Sequence, residues 1–282
     1  LISVPETIID DAWVRLNRDG GIAASVRLSG SIPSGGAPVR LRIPSLGVTI
    51  AGKTDPSGNW TGTALAPRAL RRWSPESPTL YDVRFESGGD VVQDRVGFRT
   101  IEVRGQDILL NGNPIFLRGI SMHEEELGEN PIRRITPEAA RALLGTIKTG
   151  LHGNFVRLAH YPHSEVMTRA ADELGLLVWS EIPVYWQVRW ANPGVLHGAE
   201  TMLRENIARD RNRASIILWS VGNETPLSAA RNDFMRALVK TVRDLDDSRL
   251  VTAALLAGRE GNVQTIDDPL AADLDVLAVN TY

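Results

Sequence analysis

A chain of 282 residues exceeds the usual single domain of about 100 to 200, so it holds either two domains or one large α/β barrel. Its 43% apolar and 23% charged residues exclude a disordered or collagen-like chain, and no apolar run reaches the roughly 20 residues that cross a bilayer. With 31 basic against 34 acidic residues and a net charge of -3 there is no basic face for nucleic acid, and without cysteine there is no disulfide, thiolate metal site or thiol nucleophile. The compartment stays undecided, since reducing and oxidising surroundings both tolerate such a chain. The chain opens on Leu1 without a signal-peptide pattern and reads as a processed or internal piece.

Residues 1–104 read as short extended segments, among them Ile22 to Leu28, Val39 to Ile43, Leu80 to Phe85 and Val91 to Phe98. Turn signals separate them at Asp19-Gly20-Gly21, Pro33-Ser34-Gly35-Gly36, Asp55-Pro56-Ser57-Gly58 and Ser87-Gly88-Gly89. The pattern is that of an all-β sandwich, with Trp13, Trp60 and Trp73 as core or interface anchors.

Over 105–282 strands alternate with helices. Ile115 to Ile120 reads as the first strand. A helix follows with Thr136 as N-cap, Pro137 in its first turn and Gly150 closing it. Strands are expected at Asn154 to Leu158, Leu176 to Ile182, Ser215 to Val221, Leu250 to Leu255 and Val276 to Val279. The helices between them run from Ser164 to Leu174, Gly198 to Arg213 and Ser228 to Leu245. Nearly continuous apolar strands imply a parallel βα array buried on both faces, either an open doubly wound sheet or a closed (β/α)₈ barrel. No glycine-rich phosphate-binding turn follows a strand, which weighs against the nucleotide-binding form.

Polar residues gather where these strands end: His123 after the first, Arg157 and His160 at the second, Glu181 at the third, Asn223 and Glu224 at the fourth, Asn280 and Tyr282 at the sixth. A barrel active site requires such convergence. Ile216 to Glu224 is the strongest segment: a buried strand delivers a carboxylic acid beside a carboxamide suited to a sugar hydroxyl, which places Glu224 like a general acid/base. An arbitrary loop glutamate would merely cap or pair with the next helix.

These residues carry a resemblance to glycoside hydrolase family 2, the family of β-galactosidase, β-glucuronidase and β-mannosidase. Trp73-Ser74-Pro75-Glu76-Ser77-Pro78 with Leu80-Tyr81, then Val96-Gly97-Phe98-Arg99, resembles the end of the family's immunoglobulin-like sandwich. Leu110-Asn111-Gly112-Asn113-Pro114 with Arg118-Gly119 and Met122-His123-Glu124 resembles its first barrel strand. Asn154-Phe155-Val156-Arg157-Leu158-Ala159-His160-Tyr161-Pro162 resembles the second, Val178-Trp179-Ser180-Glu181-Ile182-Pro183 the third, and Trp219-Ser220-Val221-Gly222-Asn223-Glu224 the fourth.

The resemblance implies multidomain β plus α/β architecture: an immunoglobulin-like β-sandwich over 1–104, then a (β/α)₈ TIM-barrel domain over 105–282 that stops after strand six. It implies exo-acting, retaining hydrolysis of terminal β-glycosides, with Glu224 as acid/base and Asn223 bonded to the sugar 2-hydroxyl. His160, His123, Arg157, Glu124 and Glu181 would line the sugar subsite, with Asn280 and Tyr282 at the sixth strand. For Arg157 the alternative is a clamp on a carboxylate without sugar contact, and Glu181 carries the same ambiguity. Tyr185 and Trp186, with Trp190, offer flat faces to a pyranose or pack against a neighbouring helix. His152, His163 and His197 show no partner pattern and read as solvated.

No cofactor is implied. No metal is implied either, because Ile182-Pro183-Val184-Tyr185-Trp186 lacks the Glu and His of the magnesium-binding β-galactosidases. The expected partner is a β-glycoside or oligosaccharide, with no nucleic acid or membrane, and a homo-oligomer is compatible. The Asn223-Glu224-Thr225-Pro226 run and the Pro183 to Trp186 loop lean toward β-glucuronidase relatives, for which Arg133, Arg134 or Arg189 would supply the cation. A retaining enzyme needs a second carboxylate about 5 to 5.5 Å from the acid/base. The family places it at the seventh barrel strand, a position no residue here occupies, so the chain alone is expected to be inactive. The alternative reading is a non-catalytic carbohydrate-binding or scaffold protein with a truncated barrel.

Overall fold

The computed structural model describes residues 5–124, 135–261 and 263–281, and the chain divides into two compact units, 1–100 and 101–282. The first unit contains β1 (Thr7–Leu16), β2 (Gly21–Gly30), β3 (Pro38–Ile43), β4 (Val48–Lys53), β5 (Asn59–Leu65), β6 (Tyr81–Ser87) and β7 (Asp90–Val96). They form two antiparallel sheets, in the orders β1-β2-β5 and β4-β3-β6-β7. Alternation decides which face is buried: β3 turns Val39, Leu41 and Ile43 inward and Arg40 and Arg42 outward. Inward side chains of both sheets meet in one core that includes Ile22, Leu41, Trp60 and Phe85. Trp60 leaves no room for a side chain at Gly52, where a Cβ would lie 2.3 Å from its Nε1. Trp73 is also fully buried, whereas Trp13 is only half-buried, with the Arg15 guanidinium 4.3 Å over its ring.

The second unit begins with β8 (Ile101–Arg104), β9 (Asp107–Leu110) and β10 (Asn113–Ile115), a small antiparallel sheet. Asn111 (φ 55°) and Gly112 (φ 84°) turn β9 into β10. This hairpin corrects the expected first strand. Ile115 pairs with Ile108, Phe116 is exposed, and the parallel sheet starts only at β11 (Gly119–Met122).

Then follow α1 (Pro137–Gly145), β12 (Phe155–Leu158), α2 (Glu165–Leu174), β13 (Leu177–Glu181), α3 (Pro193–Asp210), β14 (Ile216–Asn223), α4 (Ala229–Leu245) and β15 (Leu250–Leu255). A short hairpin, β16 (Gly258–Glu260) and β17 (Val263–Thr265), precedes β18 (Val276–Val279). Local chemistry sets most boundaries. Thr136 Oγ1 accepts from the Ala139 N–H, and Gly175 ends α2 at φ 71°. Asn192 caps α3 with Pro193 in its first turn, so this helix starts five residues before the expected Gly198.

Six strands run parallel in the order β11-β12-β13-β14-β15-β18. The order never reverses, whereas a doubly wound sheet reverses at its switch point, so the winding is that of a barrel. One face carries Val156, Leu158, Val178, Trp219, Val221, Val251 and Ala253, packed with Met167, Leu203, Phe234 and Leu238 of the helices. The alternate residues Arg157, Trp179, Glu181 and Ser220 belong to the opposite face and are buried as well. A chemically dense strand face is thus fixed from behind by an apolar core.

Candidate active site

Arg157 is the hub. Its Nε and Nη2 donate to the two oxygens of Glu181 at 3.2 and 3.1 Å, Nη1 donates to Asn280 Oδ1 at 2.8 Å, and Nη2 also reaches Asn223 Oδ1 at 2.7 Å. The guanidinium lies 4.5 Å over the Trp179 ring. Glu181, only 1% exposed, also accepts from Trp179 Nε1 and Ser220 Oγ, both at 3.1 Å, and meets His160 Nδ1 at 2.7 Å. That last distance requires a proton on Nδ1, because a carboxylate only accepts. Five donor contacts saturate the two oxygens of Glu181. Of the two roles open to it, this geometry favours a carboxylate clamped by Arg157 over contact with a sugar.

Strand register builds this cluster. Arg157 pairs with Trp179 across β12 and β13, and Glu181 with Ser220 across β13 and β14, so four alternate residues of three strands fall on one face. Trp179 and Ser220 were missed by sequence reading. Their signal was the spacing of two that places Trp179 and Glu181 on one side of a strand.

Asn223, 3% exposed, ends β14. Its Oδ1 accepts from Arg157 and from Asn280 Nδ2 at 2.9 Å, which leaves Nδ2 as the end of the amide these donors do not engage. The β14–β15 ladder slips between Ser220 and Asn223, and Glu224 follows in the left-handed region at φ 49°, its N–H bonded to Ala254 O at 2.8 Å. Trp186, the residue after Tyr185 on the loop beyond β13, is also left-handed at φ 53°. Such non-glycine conformations cost of order 1–3 kcal/mol each and cluster at functional sites. Two backbone bonds hold them together: Asn223 N–H to Val184 O at 2.8 Å and Trp186 N–H to Asn223 O at 3.2 Å. Trp186 Nε1 lies 3.4 Å from Glu224 Oε2. Gly222 permits this approach, since a Cβ there would lie 2.7 Å from Met235 Cε and 3.0 Å from Val184 O.

Rings line the same region. Trp186 meets Tyr185 edge-on at 5.4 Å, Tyr185 lies 6.0 Å from His160, and His160 lies 5.5 Å from His123. His123 and Tyr185 are exposed and His160 is half-buried. One expectation changes. His163 is buried, not solvated: its Nε2 donates to Ala159 O at 3.0 Å, Tyr161 stacks on it at 5.0 Å, and burial pushes its pKa below the usual imidazole value. Glu124 is buried beside it, its carboxylate accepting the Ser164 N–H before α2. It is thus engaged with the protein at a helix N-terminus. Trp190 packs on Phe234 at 5.2 Å, and Arg189 lines a surface cavity. Tyr282, Arg133 and Arg134 lie outside the described residues. Among the described residues no group of three or more His, Asp or Glu converges as metal ligands, and no helix is long and apolar enough to cross a membrane.

A singly wound parallel βα sheet with carboxylates, carboxamides and aromatics gathered at its strand ends has the arrangement of a (β/α)₈ barrel's functional face. Residues 101–280 match the family described as Glycosyl hydrolases family 2, TIM barrel domain. The chain belongs to glycoside hydrolase family 2. It is 29% identical over 235 residues to a β-galactosidase of Arthrobacter sp. (strain B7), covering 78% of this chain and 22% of that protein. A putative β-glucuronidase of Formosa agariphila is 40% identical over 165 residues, 54% of this chain and 19% of that one. Among solved structures, the FMN-binding β-glucuronidase from Facaelibacterium prausnitzii L2-6 superposes with a TM-score of 0.80 at 26% identity, over 99% of this chain and 45% of that one. The chain therefore spans less than half the length of these relatives.

Proposed function

We propose that this chain is the part of an exo-acting, retaining β-glycosidase that carries the acid/base, with Glu224 protonating the glycosidic oxygen and then activating water. The carrying observation is the delivery of Glu224 by a fully buried strand, next to an Asn223 whose amide is oriented by Arg157 and Asn280. With Oδ1 taken, Nδ2 faces the sugar 2-hydroxyl as a donor. His160, its Nδ1 proton held by Glu181, presents Nε2 to the same sugar. His123 and Tyr185 complete the wall. Arg157 and Glu181 position these groups without touching substrate. The two sheets of the first unit are read as the family's immunoglobulin-like module. Relatives named β-glucuronidase and β-galactosidase support a glucuronide or galactoside as substrate.

Among the described residues we assign no carboxylate to the second role of the retaining pair, and the 282-residue polypeptide is accordingly expected to turn over no glycoside by itself. The test compares the full-length gene product with this polypeptide on a panel of aryl β-glycosides. Turnover is expected only from the former, and Glu224→Gln should lower it by about 10²–10⁴-fold for substrates whose leaving group needs a proton. Turnover by the isolated polypeptide that Glu224→Gln abolishes would contradict the division of roles. A gene product that binds sugars and cleaves none would favour a binding protein.

A further inference from the structure

We infer that Trp186, braced edge-on by Tyr185, forms the subsite for the leaving group and that this subsite selects flat, apolar-faced aglycones. The inference rests on the reading of Glu224 as the acid and goes beyond it by naming what lies across the scissile bond. A general acid must meet the glycosidic oxygen, so an exposed ring touching its carboxylate lies within reach of the group that departs on that oxygen. Trp186 touches that carboxylate, with its Nε1 3.4 Å from Glu224 Oε2.

Nothing about the fold's stability calls for this tryptophan. Its side chain is outside the apolar core and the residue is 62% exposed, although its backbone is held at φ 53° by the bond to Asn223 O. A large exposed aromatic in a costly backbone conformation gains from an occupant of its open face. Tyr185, 40% exposed, stands 83° to the indole and fixes which face that is. The segments that carry Trp186 and Glu224 also continue into a surface cavity of ≈ 690 Å³, lined by Arg189, Trp190, Asn192 and Ala230.

The shared ligand chemistry is a flat apolar face, presented by an aryl group or by a pyranose. The experiment measures inhibition of the full-length gene product by three 1-thio-β-glycosides of its preferred sugar, carrying phenyl, methyl and pyranosyl aglycones. Trp186→Ala should weaken the phenyl compound about tenfold, and the methyl compound less than about twofold. Trp186→Phe, which keeps a ring and loses the N–H, should restore phenyl binding to within about threefold. A pyranosyl loss equal to the phenyl loss assigns the subsite to glycan substrates, and a phenyl-only loss assigns it to aryl glycosides. Equal weakening of phenyl and methyl compounds by Trp186→Ala overturns the subsite while leaving the hydrolase reading intact. Absence of any turnover by the wild-type gene product overturns the hydrolase reading and the subsite together.

Discussion

The four-stranded sheet of the first unit and the parallel sheet of the second use alternation to opposite ends. In β3 and β6 one set of alternate residues forms the core, and the other, Arg40, Arg42, Arg84 and Glu86, lies at or near solvent. In β12, β13 and β14 the first set again packs as core, but the second, Arg157, Trp179, Glu181 and Ser220, is buried too. Charges that water would neutralise at no cost on the first sheet must be neutralised by each other on the second. The lesson is that a strand buried on both faces advertises function wherever its second face is polar. Maintaining that face takes a satisfied network, and such a network is what holds catalytic groups in place.

The contrast is sharpest between two arginines. Arg157→Ala leaves Glu181 as an uncompensated buried carboxylate and should cost about 3–5 kcal/mol in urea unfolding. Arg42, 45% exposed at the side chain and 3.6 Å from Glu86, should cost no more than about 0.5 kcal/mol when changed to Ala. Comparable losses at the two sites would break the comparison.

Buried charge on the helix side of β14 gives the next effect. Burial alone would raise the Asp246 carboxyl, but Arg249 at 2.8 Å, Ser248 and the Trp219 indole hold it down to about 2, against 3.8 for the free group. A depressed folded value contributes stability that is present above pH 3.8 and lost as pH falls toward 2. The loss should be about 2 kcal/mol, and Asp246→Asn should flatten that stretch of the unfolding profile. His163 acts earlier. Its folded value is also depressed, so its contribution is present above the ordinary imidazole value of 6.5 and fades below it, and His163→Phe should remove that slope.

Gly222→Ala tests the close approach behind Glu224. Met235 can shift but Val184 O cannot, so a loss of about 1–3 kcal/mol is expected together with reduced activity of the full-length protein. The smallest effect belongs to Thr136→Ala, about 1 kcal/mol through loss of the α1 cap, with the site untouched. Thermal melts of both variants check the order.

The ends of α2 and α4 and the late strands were legible because short-range chemistry sets them: Gly175 ends α2, and β15 and β18 coincide with their apolar runs, whereas the start of α3 was missed because Asn192 and Pro193 were not read as its cap. The first barrel strand was not legible, since an apolar stretch cannot reveal that its beginning pairs backward into a hairpin. At the site, Glu224, Asn223, Arg157 and His160 were visible as polar residues closing apolar strands. The burial of His163 was hidden, because Tyr161, Ala159 and Glu124 surround it only after β11, β12 and α2 come together. Likewise the choice for Arg157 between sugar and carboxylate depended on Glu181, 24 residues away, arriving in register.

The role of Glu224 is tested most directly by azide rescue. In the full-length protein, Glu224→Ala should still form the glycosyl-enzyme from a substrate with an activated leaving group, then stall for want of a base. Azide needs no base. Added azide should restore turnover and yield the β-glycosyl azide. An α-glycosyl azide would make Glu224 the nucleophile, and no rescue with activated substrates would remove it from the chemistry altogether.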